Sequence, residues 1–242
     1  MSNEKGDDIE AALLYPSMEE NPQLRWAFIR KVYAILAVQL IATIAVAAFI
    51  ANHQSIALFF GTTWAGWAVY AVILIAVIMV ICLLSALKDK HPINFILLGI
   101  FTLFMGLLVG LAVSFVNAMI VIEAAAATLA VVVCLTLYTF WAARRGEDFS
   151  FLIPFVITIV ITLVLLVILQ IFFPLGKIST MLYNGLFILL LCAYIIIDTD
   201  NLIKRNKYDE YIWASITLYF DILNMFLKFL RALISANRRQ RN

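Results

Sequence analysis

Two carboxylates stand where an apolar chain is expected to carry none. Asp198 and Asp221 flank the polar run Lys204-Arg205-Asn206-Lys207-Tyr208-Asp209, and each lies in a hydrophobic segment long enough to cross a bilayer. An ionised Asp at the centre of a spanning helix costs about 2.5 to 3.5 kcal/mol on insertion scales, so it is usually functional and usually partnered. If the two segments form an antiparallel hairpin, the midpoint between the Asp residues falls at Asp209/Glu210, and both carboxylates stand at similar height. Each then lies about 17 Å from the turn at 1.5 Å per residue, so the turn must project from the bilayer for the pair to sit inside it. Paired carboxylates resist double ionisation and titrate together. They also offer oxygen ligands to a hard cation.

The helix carrying Asp221 must position more than one polar group. Thr217, Asp221, Asn224, Lys228 and Arg231 recur at spacings of four, three, four and three, which puts them on one face. That stripe belongs against other helices or a water-filled path, which predicts a central last helix with the others around it. The alternative is an amphipathic helix lying in the interface, set against the apolar run of Leu218, Phe220, Ile222, Leu223, Met225, Phe226 and Leu227.

The rest of the chain supplies the scaffold. A hydrophobic fraction of 65%, charged residues at 13% and a mean hydropathy of +1.03 describe a polytopic membrane protein. The net charge of +2 gives no reason to expect a nucleic-acid partner. Residues 1–24 are polar and acidic and read as a disordered tail, and no cleavable signal precedes Arg25, Arg30 and Lys31. Seven apolar runs follow, at about 31–51, 65–87, 93–116, 118–141, 151–173, 179–201 and 211–235. The expectation is one seven-helix membrane domain over residues 25–242.

Basic residues alternate between connections: Arg30 and Lys31, Lys88 and Lys90, Arg144 and Arg145, then Lys204, Arg205 and Lys207, with only Lys177 on the other side. This predicts a cytosolic amino terminus. Seven crossings put the carboxyl tail outside, whereas Arg238, Arg239 and Arg241 argue for the cytosol. The last segment therefore either crosses, which is the expectation, or is re-entrant.

Gly106 and Gly110 form a small-xxx-small pair for close helix packing, and Gln39 and Gln170 read as amides bridging helices. Glu123 is either interfacial or lines a vestibule. Cys82, Cys134 and Cys192 lie in apolar runs without metal-ligand spacing, and His53 and His91 are far apart, so neither a zinc site nor a disulfide is expected. No phosphate-cradling glycine loop or Gly-x-Ser-x-Gly turn is present. Paired intramembrane Asp residues also occur in presenilin-type proteases. Leu218-Tyr219-Phe220-Asp221 lacks the glycines of their Gly-x-Gly-Asp motif, so an enzyme is not expected.

Tyr194-Ile195-Ile196-Ile197-Asp198-Thr199 and Leu218-Tyr219-Phe220-Asp221-Ile222-Leu223-Asn224 resemble the paired signature of the Bax-inhibitor motif, or Lifeguard, family. Phe28-Ile29-Arg30-Lys31-Val32-Tyr33, Pro92-Ile93-Asn94-Phe95 with Phe101-Thr102, and Asp148-Phe149-Ser150 extend the resemblance along the chain. Leu24-Arg25-Trp26-Ala27 with Asp198-Thr199-Asp200-Asn201 is most similar to the plant Lifeguard branch. Asp200 stands where other members usually have Gln, adding a third carboxylate. The resemblance implies a seven-helix bundle around a central last helix, suppression of cell death and endoplasmic-reticulum stress, and a pH-sensitive calcium leak. It makes Asp198 and Asp221 the di-aspartyl sensor, with Lys88 or Lys90 as candidate for the family's basic gate residue.

Three readings remain open. The favoured one is a proton-gated calcium leak in the endoplasmic reticulum, its pathway lined by Asp198, Asp221, Asp200, Asn224, Thr217 and Lys228. Calcium would be the permeant ion, weakly held by Asp198 and Asp221, with no cofactor. The others are a non-conducting scaffold acting on membrane-protein partners in cell-death or stress signalling, and a proton-coupled transporter, for which neither repeat symmetry nor broken helices speak.

Overall fold

The computed structural model describes residues 13–16, 18–87, 90, 92–172 and 176–240, without the side chains of 170–172, 176–181 and 238–240. These residues form eight helices: α1 Pro22–Asn52, α2 Gln54–Thr62, α3 Trp64–Ala86, α4 Ile93–Val113, α5 Ala118–Arg144, α6 Leu152–Phe172, α7 Gly176–Lys204 and α8 Tyr211–Gln240. No strand occurs among them. Six helices are long and apolar enough to cross a membrane: α1, α3, α4, α5, and the stretches Leu152–Leu169 of α6 and Leu182–Lys204 of α7. The chain is a helical membrane bundle. α8 is not among the six, because Asp221, Asn224, Lys228 and Arg231 interrupt its apolar residues.

The helix ends follow local chemistry. α1 begins earlier than the apolar run at 31, and takes in Pro22, Gln23 and Leu24 of the segment read as disordered. Asn21 starts it: its Oδ1 accepts from the Gln23 amide at 2.9 Å, and Pro22 at the first helical position loses no hydrogen bond. Leu14 is buried ahead of it, while residues 1–12 and 17 lie outside the described residues. α5 ends in a Schellman turn, in which the amides of Gly146 and Glu147 donate to the carbonyls of Ala143 and Ala142. Gly146 supplies the required positive φ of 76°. The segment between the first two apolar runs, expected as a connection, contains α2.

The chain divides into two compact units. One comprises Arg30–Val121 and Lys207–Tyr219. In it, Val32, Leu36, Gln39, Thr43, Ala47 and Ile50 form the buried stripe of α1. Gly106 and Gly110 of α4 pack against this helix so closely that a Cβ on Gly110 would stand 2.9 Å from Ile50 Cβ and 3.0 Å from Ala47 Cα. The expected small-residue contact is therefore between α4 and α1. Gln39 bridges the same helices, its amide donating to Thr102 Oγ1 at 3.3 Å, and Thr43 Oγ1 pairs with the Tyr219 hydroxyl at 2.6 Å.

The other unit comprises Met1–Ile29, Ile122–Asn206 and Phe220–Asn242. Here α7 packs on two sides. Leu190 and Ala193 meet Val156, Ile159 and Leu163 of α6, whereas Leu191 and Ile195 meet Met225 and Phe229 of α8 and Val131, Val132 and Leu135 of α5. These stripes decide where the carboxylates of α7 point. Asp198 continues the Leu191–Ile195 stripe toward α8, and Asp200 continues the Ala193–Ile197 stripe toward α6.

Candidate functional site

α7 ends at Lys204 and α8 begins at Tyr211, and Leu191 and Ile195 of α7 pack against Met225 and Phe229 of α8, so the two run as the antiparallel hairpin supposed from the sequence. Arg205 and Asn206 close the end of α7, both amides donating to the Asn201 carbonyl at 2.8 Å. Asp198 on α7 and Asp221 on α8 are electrostatic neighbours across this hairpin. Asp221 Oδ2 is buried and has no hydrogen-bond partner among the described residues. A buried acceptor beside a second carboxyl is satisfied if one proton lies between them, and is costly if both groups are ionised.

The other predicted site residues separate into three groups. Thr217 Oγ1 and Asn224 Nδ2 donate to carbonyls of their own helix, at Ala214 and Phe220, which pays for their polarity while keeping them on the Asp221 face. Lys228 extends its ammonium over the rings of Phe187 and Tyr183 on α7, at 3.8 and 4.7 Å from the centroids. Arg231, last of the stripe, is exposed.

Asp200 is not joined to the pair. It is buried, and its carboxylate is ion-paired at 2.6 Å with Lys204 one turn later. Lys204 Nζ also donates to the Glu147 carbonyl at 2.7 Å, which ties the end of α7 to the α5–α6 connection. Asp200, Asn201 and Arg205 line a small cleft there with Phe149, Ser150 and Ile153. Outside the spans, two hydrogen bonds from Ser150 hold the exposed Asp148 carboxyl below the usual carboxylate range. No group of three or more His, Cys, Asp or Glu side chains placed to hold a metal occurs among the described residues.

Lys90 is described and exposed, whereas Lys88, His91, Arg241 and Asn242 and the side chains of Gln170 and Lys177 lie outside the described residues. Glu123 is exposed.

Arg25 entered the sequence reading only as a basic residue ahead of the first apolar run and as part of the family resemblance. It is 2% exposed, forks onto Glu20 Oε2 through Nε and Nη2, and donates from Nη1 to the Asn206 carbonyl at 2.6 Å. The first turn of α1 is thereby stapled to the turn between the two Asp-bearing helices. Its signal was weak: a Glu five residues before a basic residue next to a capped helix start.

The family described as inhibitor of apoptosis-promoting Bax1 matches residues 25–239. The chain is 51% identical to Protein LIFEGUARD 3 of Arabidopsis thaliana over 96% of each chain. It is 33% identical to Bax inhibitor 1 of Schizosaccharomyces pombe over 90% of this chain and 80% of that one. With the Golgi anti-apoptotic protein of Vaccinia virus it shares 35% identity over 89% of this chain and 88% of that one. A match of this extent, on a helical membrane bundle, places the chain in the Bax-inhibitor (Lifeguard) family.

Proposed function

We propose that this protein is a pH-sensitive calcium leak of the endoplasmic-reticulum membrane, gated by Asp198 and Asp221, and that through intracellular calcium it suppresses stress-induced cell death. The observation that carries the reading is the buried Asp221 carboxyl, whose Oδ2 has no hydrogen-bond partner among the described residues and which has Asp198 as its charged neighbour. With one shared proton the carboxyls hydrogen-bond and hold α7 and α8 together. Two ionised carboxylates repel, by about 4 kcal/mol for unit charges 4 Å apart at an effective dielectric of 20, and the helices separate unless a cation intervenes. Leak therefore rises as the proton leaves. α8 acts as the seventh, central helix, and Thr217, Asn224 and Lys228 on its polar face line the way to the pair. No catalytic step or cofactor enters this mechanism, and calcium is the permeant ion.

A second reading has its own support. The names Bax inhibitor and anti-apoptotic protein among the relatives speak of cell-death suppression, which a non-conducting scaffold acting on membrane-protein partners would also provide. Calcium efflux from liposomes containing only this protein separates the two. A leak releases entrapped calcium well above protein-free liposomes, and a scaffold leaves the rate unchanged.

A further inference from the structure

We propose that α2 is an interfacial helix, lying in the headgroup region of the bilayer at the α1–α3 junction, and that its partner is an uncharged lipid surface. The helix lengths place it. From Lys31, whose ammonium sits on the Tyr211 ring, to Asn52 the rise is about 31 Å, close to the ~30 Å hydrocarbon thickness. Asn52 thus reaches the boundary opposite Lys31 and Tyr211. α3 returns from that boundary starting at Trp64. Single residues, His53 and Thr63, join α2 to the two spans, so both its ends are held at one level and the helix cannot project.

Local packing fixes this arrangement. Ala57 is buried on the inward face of α2. Gly66, in the first turn of α3, is pressed against the end of α2: a Cβ there would stand 2.1 Å from the Phe59 carbonyl oxygen. Thr63 Oγ1 caps α3 by accepting from the Gly66 amide at 3.0 Å. Phe115, just beyond the end of α4, comes beside Gly61.

The outward face is apolar and aromatic. Leu58, Phe59, Trp64, Trp67 and Phe115 are all exposed, Trp64 at 88%. This patch continues the lipid-facing side of α3, where Val72, Ile75 and Met79 are also exposed. Tryptophans at that level form the belt found where spans meet headgroups. Between Val32 and Leu87 the sequence has no Asp, Glu, Lys or Arg, so apart from His53 the surface carries no ionisable group to attract anionic headgroups or a charged protein face.

The test is nitroxide depth measurement on the full chain in phosphatidylcholine nanodiscs, with Cys82, Cys134 and Cys192 replaced by Ala. Single Cys variants at Leu58, Phe59 and Trp64 report the outward face. Ala57→Cys reports the inward face, and Lys207→Cys reports a water-exposed turn. Relaxation by oxygen relative to that by a water-soluble nickel chelate is expected to be at least threefold higher at the three outward positions than at 207. Exchanging a third of the lipid for an anionic one should leave the ratio unchanged. Ratios equal to that at 207 would place α2 in water and overturn the proposal. Exclusion of both relaxants from 58, 59 and 64, as at 57, would also overturn it, because a protein surface such as a second copy would then cover the patch.

Discussion

Asp198 and Asp221 stand out in the sequence because a carboxylate in an apolar segment is expensive, and because their spacing about one polar run would place them level in a hairpin. Asp200 was legible only as a third carboxylate. Its separate role follows from the α7 stripe it occupies and from Lys204 at i+4, a pairing the sequence spacing allows but does not require. The same scale supplies a control for the pH response. Hydrogen bonds from Ser150 hold the Asp148 carboxyl below its ordinary value, so what they contribute is complete above the unfolded carboxylate range and is lost as pH falls through the lowered value. Asp148→Asn is thus expected to leave calcium leak unchanged between pH 6 and 8, as read in proteoliposomes. A shifted leak profile in that window would move the sensor to the α5–α6 connection.

The long helices follow from apolar length, but two features of the elements did not. α2 is nine residues long with no side-chain cap, too short to declare a period, so the absence of charge from 52 to 64 read as a plain connection. The structural role of Arg25 was not legible because burial of a guanidinium depends on partners distant in sequence, here the Asn206 carbonyl. Arg25→Ala removes three donated hydrogen bonds and should lower stability by about 1 to 3 kcal/mol, with Arg25→Lys intermediate because it cannot fork. Faster tryptic cleavage at Lys204, Arg205 and Lys207 in micelles would show the released turn, and cleavage at the wild-type rate would deny the staple. The α1–α4 contact gives a sharper comparison. Gly110→Ala meets Ile50 Cβ and Ala47 Cα and should destabilise by about 1 to 3 kcal/mol in thermal unfolding. Gly99→Ala meets nothing within 4 Å and should be neutral or stabilising, since Ala is the better helix former. Equal effects of the two would mean that α1 and α4 do not pack closely at Gly110.

At the scale of the molecule, composition was enough for a helical membrane bundle, and the sequence's own contradiction lay at α8. Its polar stripe keeps it out of the six apolar spans, yet Leu218, Tyr219, Leu223, Met225 and Leu230 are buried. A helix buried on several sides is a poor candidate for lying on the surface. It is therefore expected to cross, and a glycosylation acceptor appended after Asn242 should be modified in microsomes. An unmodified acceptor there, with a modified one inserted between residues 52 and 64, would make α8 re-entrant. The central claim is that one proton between Asp198 and Asp221 closes the leak. Calcium efflux from proteoliposomes, followed as the pH on the side of the 205–210 turn is stepped from 6 to 8, tests it most directly. Wild-type efflux should rise several-fold across that range, and Asp198→Asn and Asp221→Asn, folded and inserted, should each flatten the rise. Wild-type pH dependence in both variants, or no pH dependence in the wild type, would contradict the shared-proton gate.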